Sequence, residues 1–512
     1  MAQDIALLKG SVMIWTLVVL RVFDVFAART MPGPSRSLSL ASNFGSTQLS
    51  MPQSGSIVVN NGFAFDPRNL HALREHATSI SQVHPIGKSS RPKQSQPTST
   101  RRHGILHGVA TMALAAVGCP SRAHATDTPV DEASRKFKLR FATLFKPFYG
   151  EGSKRTLRRE IVPGKLWTLE QSLELGPLET PIRSVVVRLA DGTLWIHAPL
   201  APTPEFFTLV EELGDRVAHI VAPTYALEHK VFVRDAAERW QDADIWIAPG
   251  QFSFPVELPL KEVFGREPAG VFEATSVSSS NSIVAGSGTY AIPGNKKIPP
   301  WIKEIEVDVL EIGSFRVGLQ TVNLCEATFF HRDSKTLIVT DAVARVPADI
   351  PEWAVNTPAN LLKVSQESTD EPLPEDTPDA RRVGWAKTAL LASYFFPEHE
   401  EPDPERPAVV TWTPGYMDNF AVLSGRLLVL PVVRTILFAQ NRQSVRNWVS
   451  RITDRWDFVS VVPAHWDAPI KMSPVEFAAA FRFLEDPSAD AFPERDLRAL
   501  RLLADAFITT SN

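Results

Sequence analysis

Glutamate, aspartate and histidine side chains stand directly after short apolar runs at three points of the sequence. These side chains are Glu228-His229, Asp341 and His465. Carboxylates and imidazoles are ligand types that suit zinc or iron. Each group also has a structural interpretation. Glu228 fits a helix N-terminus, where the helix dipole favours an acid, Asp341 fits a cap on the following loop, and His465 fits a core histidine bonded to backbone.

Several other catalytic chemistries lack support in the sequence. There is no GxSxG motif, no P-loop and no GxGxxG motif, which argues against serine-hydrolase, NTPase and Rossmann chemistry. The two cysteines, Cys119 and Cys325, form no CxxC pair, so a zinc knuckle is not expected. Cys325 is best interpreted as a small hydrophobe packed in the core.

Charge is divided unevenly along the chain. Residues 1–125 contain 12 Lys and Arg against 4 Asp and Glu, a net charge of +8, whereas residues 126–512 have a net charge of −12. A basic, acid-poor leader on an acidic body is typical of targeting sequence. The body has no block of Lys or Arg that would neutralise phosphates, so we predict no nucleic-acid partner.

The leader resembles three targeting signals in series. Residues 11–20 form a short apolar run like that of a signal peptide, and residues 29–100 have the composition of a transit peptide. Residues 100–106 (TRRHGIL), the apolar stretch 108–118 and the A-x-A sequence at 123–125 resemble a twin-arginine signal. A helix or short anchor that stays attached is the alternative. We predict delivery to a plastid (chloroplast) and, within it, to the thylakoid lumen.

Strands and helices alternate through the first half of the body. Strands are predicted at 184–189, 194–197, 217–222 and 244–248, with helices at 204–213 and 231–241 between them. This rhythm indicates an α/β sheet with crossover helices. Further strands are predicted at 305–310, 315–321, 326–331, 336–341 and 458–462. The C-terminal part is predicted to be mostly helical, over 379–394, 417–439, 443–453, 474–484 and 494–507.

These elements divide the chain into four parts. The parts are a targeting leader (1–125), a helical lead-in (126–178), the main domain (179–475) with an insertion loop (274–296), and C-terminal helices packed on the domain (476–512). The loop is predicted from its run of Ser, Gly and Asn. No apolar run of the body is long enough to span a membrane, so we expect no transmembrane anchor there.

An ordered series of motifs resembles an uncharacterised family of plants, algae and cyanobacteria, classed near the metallo-β-lactamase-like hydrolases. The motifs are 184–204 (SVVVRLADGTLWIHAPLAPTP), 219–223 (HIVAP), 227–230 (LEHK), 249–255 (PGQFSFP), 329–343 (FFHRDSKTLIVTDAV) and 463–469 (PAHWDAP). The resemblance spans roughly residues 165–475. It implies an αββα sandwich with a mostly helical C-terminal extension, with any site on the loops at one edge of the paired sheets.

The resemblance also implies a partial set of metal ligands. Active metallo-β-lactamase-like enzymes carry an H-x-H-x-D-H loop whose first two histidines bind the first metal together with a third, later histidine. The Asp-His of the loop, a bridging Asp and a final His bind the second metal. Residues 224–229 (TYALEH) place Thr224 and Ala226 at those positions, which implies that the first metal site is lost. The remaining motif positions imply that one zinc, iron or manganese ion, if any, is bound by Glu228, His229, Asp341 and His465. Glutamate is a methylene longer than aspartate, which puts the geometry at Glu228 in doubt.

Five further residues are weaker candidates for the same site. His197 lies where active relatives often keep an aspartate, although it also fits a structural residue. His331 ends a strand and could approach the site, although the alternation of the strand could equally point it outward. Glu326, like Cys325, lies near the expected position of the missing third histidine. Tyr225 and Lys230 would flank the mouth and could contact an anionic substrate.

Two functions are consistent with this pattern. The first is a mononuclear metal-dependent hydrolase of a small ester, thioester or phosphodiester. The second is a catalytically inactive pseudoenzyme that keeps the fold as a binding or assembly module in the plastid. Surviving motif positions favour the first function, and the loss at Thr224 and Ala226 favours the second. The substrate and any protein partner stay undefined.

Overall fold

The computed structural model describes most of the body of the chain. The described residues are 132–140, 149, 152–175, 178–251, 258–273, 298–317, 320–355, 358–394, 397, 399–403, 405–406, 409–486, 492–507 and 509–510. The targeting leader and the insertion loop 274–296 lie outside the described residues.

The first sheet has seven strands that are hydrogen-bonded in chain order. They are β1 (Leu157–Val162), β2 (Leu166–Leu175), β3 (Leu178–Arg188), β4 (Leu194–His197), β5 (Val217–Ala222), β6 (Asp244–Ile247) and β7 (Gly270–Val271). Strands β1 to β4 pair antiparallel, and β4 to β7 pair parallel. Parallel neighbours require crossovers, which here contain α1 (Pro204–Glu211), α2 (Val233–Arg239) and α3 (Leu260–Phe264).

The first crossover helix begins where the sequence predicts it. Thr203 is the N-cap of α1, its hydroxyl accepts a hydrogen bond from the backbone N–H of Phe206 at 3.0 Å, and Pro204 occupies the first helical position. This combination satisfies an otherwise unpaired amide and fixes the first turn. Phe206 and Val210 then lie on the buried face of the helix.

The second sheet has six strands, and helices lie between some of these strands in the sequence. Its strands are β8 (Ile305–Val317), β9 (Gln320–His331), β10 (Thr336–Ile338), β13 (Ser460–Val462), β14 (Ile470–Lys471) and β15 (Thr509–Thr510), in the order β14-β13-β10-β9-β8-β15. Strands β11 (Glu400–Pro402) and β12 (Val410–Trp412) form a separate ribbon. The only parallel pair in the described part of this sheet is β10 with β13.

Most helices of the C-terminal half lie between β10 and β13. The helices of this half are α4 (Glu352–Val355), α5 (Pro358–Ser365), α6 (Pro378–Tyr394), α7 (Tyr416–Leu423), α8 (Arg442–Arg455), α9 (Pro474–Ala479) and α10 (Glu494–Phe507). A π-helical turn (Val433–Leu437) and two 3₁₀ turns (Phe438–Asn441 and Arg482–Leu484) connect some of them. Within the described residues, no helix is both long enough and apolar enough to cross a bilayer.

Three hydrophobic clusters show how these elements are layered. The cluster between the sheets joins Trp195 and Trp246 of the first sheet to Phe329 of the second, and the rings of Trp195 and Phe329 lie 5.1 Å apart. A second cluster packs α1 and α2 on the outer face of the first sheet. A third packs the C-terminal helices on the outer face of the second sheet. The predicted αββα sandwich with a mostly helical C-terminal extension is therefore confirmed.

The structure corrects three predicted elements. The lead-in 126–178 is not helical throughout, because β1 and β2 form a hairpin around Gly164 (φ +67°). Strand 305–310 and residues 315–317 of the strand predicted at 315–321 are parts of the continuous strand β8, which keeps pairing with β9 through an irregularity at Gly313. Residues 320–321 of that predicted strand begin β9 instead. Helix 417–439 is broken: α7 ends before Gly425 (φ +79°), and the segment after it pairs with residues 344–346.

Candidate functional site

Three of the candidate ligands stand beyond the carboxyl ends of strands. His229 lies on a 3₁₀ turn (Leu227–His229) after β5, Asp341 follows β10, and His465 follows β13. Strands β10 and β13 are parallel neighbours, so their carboxyl ends meet at one edge of the second sheet. Their pairing continues past the strands, because the N–H of Ala464 donates to the carbonyl of Thr340 at 3.1 Å.

The three side chains converge on one point. His229 Nε2 lies 3.4 Å from Asp341 Oδ2, and His465 Nε2 lies 3.4 Å from Asp341 Oδ1. The two Nε2 atoms are 3.2 Å apart. His229 is fully buried, whereas the side chains of His465 and Asp341 are 14% and 26% exposed. The cluster therefore joins a residue of the first sheet to two residues of the second and keeps a narrow opening to solvent.

Glu228 completes the group despite its longer side chain. Ligand atoms of Glu228, His229 and His465 all lie within 4.8 Å of one another. The backbone carbonyl of Glu228 accepts a hydrogen bond from the Tyr149 hydroxyl at 3.4 Å, which ties the turn to the N-terminal segment. All four residues that the resemblance implied as ligands are thus close together.

The hydrogen bonds of the two imidazoles determine which nitrogens face the centre of the cluster. His465 Nδ1 lies 2.7 Å from the carbonyl oxygen of Pro181 and must donate its proton there, because a carbonyl oxygen can only accept. His465 Nε2 is then left with a lone pair directed at His229 and Asp341. Metal-binding histidines are typically held in this way, by a bond from the other ring nitrogen to a backbone carbonyl.

Burial and neighbouring charges shift the pKa values of the cluster. Burial acts to lower the pKa of His229, but the carboxylates of Asp341, Glu228 and Glu326 outweigh it and raise that pKa. Burial lowers the pKa of His465 to about 4, and the neighbouring His229 lowers it further. Burial also raises the pKa of Glu228. A cation inside the cluster would relieve both the crowded carboxylates and the inward-facing nitrogens, so the donor set fits a metal ion.

A buried arginine holds the loop that carries His465. Arg183 on β3 is 1% exposed, and its Nε donates to Glu170 Oε1 at 2.9 Å. The other two guanidinium nitrogens donate to the backbone carbonyls of Pro463 and of Trp466, the latter at 2.5 Å. Trp466 has a left-handed backbone (φ +61°), which is rare for a bulky residue and persists only where the surroundings fix it. The arginine therefore fixes the loop on both sides of His465.

The residues at the first two histidine positions of the motif connect backbone segments instead. The Thr224 hydroxyl donates to the carbonyl of Cys325 at 3.1 Å, and the N–H of Ala226 donates to the same hydroxyl at 3.4 Å. Neither side chain offers an imidazole, as the sequence implied. Burial raises the pKa of Cys325 to about 12 and keeps it a thiol, in agreement with a packed small residue.

Glu326 lies beside the cluster and supports it through the backbone. Its two carboxylate oxygens accept the N–H groups of Thr340 at 2.7 Å and of Asp341 at 3.0 Å. Burial raises the pKa of Glu326 to about 7, and the charge of Asp341 acts in the same direction. Glu326 therefore positions Asp341 through its backbone.

The remaining candidates fall in different places. The prediction that His331 approaches the site is wrong, because it pairs with Thr336 at the end of β10 that is remote from Asp341. The ring nitrogen Nδ1 of His331 is hydrogen-bonded to Ser334 at 2.7 Å. The alternation of a strand explains its burial without any function.

Tyr225 and Lys230 lie beside the cluster. Burial raises the pKa of Tyr225, and the charges of Asp341 and Glu228 contribute. Burial lowers the pKa of Lys230 to about 7, and Glu228 opposes that shift. A phenol and an amine therefore stand within electrostatic range of the same carboxylate.

His197 also lies in this region. It is the last residue of β4 and is 1% exposed. Burial lowers its pKa to about 3, the charge of His229 lowers it further, and Asp341 opposes the shift. The imidazole is therefore neutral and sits between the sheets near the ligand cluster.

Sequence analysis missed two residues that hold the site. A signal for Arg183 was present, because this charged residue stands close to the apolar run 185–187 of its strand, and a charged residue is rarely buried unless paired. Tyr149 had no comparable signal, since its contact with residue 228 spans 79 positions of the chain.

Comparisons with known proteins identify the family but no activity. Residues 163–483 match the model of the family described as "Domain of unknown function (DUF4336)". The match covers more than half of the chain, so the chain belongs to this family. No curated protein has a significantly similar sequence.

Two solved structures illustrate the similarity in fold. The metallo-β-lactamase from Pontibacter korlensis is 12% identical, with 65% of this chain and 100% of that chain covered and a TM-score of 0.30. The metal-soaked Flv1 flavodiiron core from Synechocystis sp. PCC6803 is 9% identical, with 66% and 62% covered and a TM-score of 0.32. The function must therefore be argued from the geometry of the site.

Proposed function

We propose that this member of the DUF4336 family is a mononuclear metal-dependent hydrolase. The observation that carries the proposal is the convergence of His229, Asp341 and His465, with mutual distances of 3.2 to 3.4 Å, from two different sheets. Core packing alone gives no reason for two imidazoles to lie against each other and against the same carboxylate. A shared cation explains the arrangement.

One zinc, iron or manganese ion would be held by Glu228, His229, Asp341 and His465. Two carboxylates and two imidazoles suit these ions. A bound ion would supply a water of lowered pKa, about 7 in the zinc enzymes, as the nucleophile for hydrolysis. Loss of imidazoles at Thr224 and Ala226 argues for one ion instead of two.

Residues around the ligands have separate tasks in this proposal. Arg183 and the carbonyl of Pro181 orient His465, and Glu326 holds the backbone of Asp341. Lys230 and Tyr225, beside the cluster, contact an anionic or polar substrate. The substrate class is a small ester, thioester or phosphodiester. The attacked atom is the carbonyl carbon of an ester or thioester, or the phosphorus of a phosphodiester.

A hydrolase screen tests the proposal. The full chain, loaded separately with Zn²⁺, Fe²⁺ and Mn²⁺, is assayed against nitrophenyl esters, acyl thioesters and bis(nitrophenyl) phosphate. We expect turnover with one ion that is abolished by chelation and by His465→Ala. The matched control is His399→Ala, because His399 is bonded to Thr413, remote from the cluster, and its loss should leave the rate unchanged. Equal rates in the wild type and His465→Ala would contradict the proposal.

A pseudoenzyme is the second candidate function. The observation in its favour is that Thr224 and Glu326 use their side chains to connect backbone segments, so the first metal site of the motif lacks its imidazole ligands. In this case the fold serves as a binding or assembly module. A stable, metal-free protein that is inactive on all three substrate classes would favour it.

The cellular location belongs to the same proposal. We infer from the composition and signals of residues 1–125 that the chain is delivered to a plastid and to its thylakoid lumen. A fluorescent fusion of the leader tests this inference. Replacing Arg101 and Arg102 by Lys should stop lumenal delivery while plastid import continues, and unchanged delivery would contradict it.

A further inference from the structure

The His197 imidazole is buried with both ring nitrogens unpaired. Its side chain is 1% exposed, and neither Nδ1 nor Nε2 has a hydrogen-bond partner among the described residues. The ring lies against the rings of Trp195 and Phe329, with centroids 6.0 and 5.6 Å away. A buried polar group without a partner is costly, and a phenylalanine would fill similar space without that cost. The position therefore has a missing partner.

The backbone fixes where this imidazole points. His197 shares the inward face of β4 with Trp195, which belongs to the cluster between the sheets. The carbonyl of His197 accepts the Ser184 hydroxyl at 2.7 Å, and the next N–H, that of Ala198, donates to Val221 at 3.0 Å. Ala198 then leaves the strand in a left-handed conformation (φ +51°). The side chain is thus directed between the sheets by a rigid strand end.

The missing partner lies in the direction of the ligand cluster. His197 ends β4 and pairs in register with Val221 of the parallel strand β5, whose carboxyl end leads to the turn of His229. The charges of His229 and Asp341 affect its pKa. Neither ring nitrogen of His197 is hydrogen-bonded to a described side chain of the cluster. A small donor between His197 and the cluster would satisfy one of these nitrogens. A single water is the smallest species that would fill the gap and satisfy a ring nitrogen.

We propose that His197 is a positioning residue that accepts a hydrogen bond from the water on the metal ion. The proposal rests on the metal site of the proposed function. It adds that His197 sets the orientation of the water that the metal ion would activate. A neutral imidazole offers one acceptor and one donor. By accepting a proton from such a water, the His197 imidazole would fix the orientation of the water's oxygen.

Cobalt substitution tests the proposal without any need for a substrate. The full chain is titrated with Co²⁺ alone, and the visible absorption and the dissociation constant are recorded for the wild type, His197→Phe and His197→Gln. Wild type is expected to bind one Co²⁺. His197→Phe should still bind it, with an affinity about three- to tenfold lower, as expected for one net hydrogen bond, and with an altered spectrum. His197→Gln keeps a hydrogen-bond acceptor and should recover much of the wild-type affinity for Co²⁺ and of the wild-type spectrum.

Matched variants separate positioning from packing. His331→Phe replaces another buried histidine, one that is remote from the cluster, and should leave the Co²⁺ spectrum and affinity unchanged. Should His197→Phe not fold, His197→Leu is compared with His197→Gln in the same way. Wild-type spectrum and affinity in a folded His197→Phe or His197→Leu variant would overturn the role of His197 alone. Absence of Co²⁺ uptake by the wild type would overturn the metal site as well.

Discussion

His465 shows how far one imidazole is oriented by protein groups alone. Its Nδ1 proton is donated to Pro181, and the loop on either side is bonded to Arg183. Nε2 is left facing Asp341 at 3.4 Å. Because these constraints exist before any ligand binds, little side-chain freedom remains to be lost when one does, and affinity rises accordingly.

Glu228 gives the first test at this scale. Its longer side chain brings the carboxylate within 4.8 Å of both imidazole ligand atoms. We expect Glu228→Asp to weaken zinc binding by about tenfold, or ~1.4 kcal/mol, because the carboxylate is withdrawn by about 1.5 Å, one C–C bond. Calorimetric titration of the purified chain with Zn²⁺ measures this. The control is Glu212→Asp, since Glu212 lies on the surface and pairs with Arg158. Zinc binding by Glu228→Asp that equals the wild type would show that the glutamate is not a ligand.

At the scale of elements, the two sheets are joined at the site by Arg183, which is ion-paired with Glu170 and hydrogen-bonded to the loop that carries His465. Both residues lie on neighbouring strands of the first sheet, and Arg183 reaches the loop after β13 of the second sheet. Removing one partner of a buried pair leaves the other charge uncompensated. Arg183 is thus both a connection between the sheets and a support for His465, and Glu170 balances its buried charge.

We expect Arg183→Met to destabilise the chain by about 3–5 kcal/mol and to weaken zinc binding as the loop of His465 loosens. Urea unfolding and zinc titration measure the two effects. Arg188→Met is the matched control on the same strand, because Arg188 bonds Leu213 and stacks on Trp167, away from the loop. Loss of stability without loss of zinc affinity would contradict a supporting role at the site.

Element prediction from the sequence succeeded where local signals are strong. Helix α1 has its Thr-Pro start, and the apolar runs of β5 and β6 are bounded by polar turns. It failed where distant segments decide, as at 424–428, which is not helical and whose two end residues form isolated bridges to Val346 and Ala344. The four principal candidates came from motif order, which places residues after strands. His331 was misplaced because no local pattern tells which end of a strand faces the site.

At the scale of the molecule, the site bridges two layers of the sandwich. His229 belongs to the first sheet, and Asp341 and His465 extend from the second. The layer between the sheets is otherwise aromatic and apolar, with Trp195, Trp246 and Phe329 at its centre. An ion at its edge would therefore cross-link the layers and stabilise the folded chain.

This linkage predicts a stability that depends on metal. Free Zn²⁺ at 100 times its dissociation constant should add about 2.7 kcal/mol to the free energy of unfolding, and the midpoint of thermal unfolding should rise by several degrees. Chelator should reverse the rise. Scanning calorimetry on the wild type and on His229→Ala measures it, and the variant should not respond to Zn²⁺. A rise of equal size in both proteins would show that the ion binds elsewhere.

Metal content of the purified chain tests the central claim most directly. Mass spectrometry of the wild type, His229→Ala and Asp341→Ala, each checked for folding by circular dichroism, measures the number of ions per chain. The account predicts about one zinc, iron or manganese ion per wild-type chain and none in either variant. A folded wild type without metal, or variants that retain the ion, would contradict it.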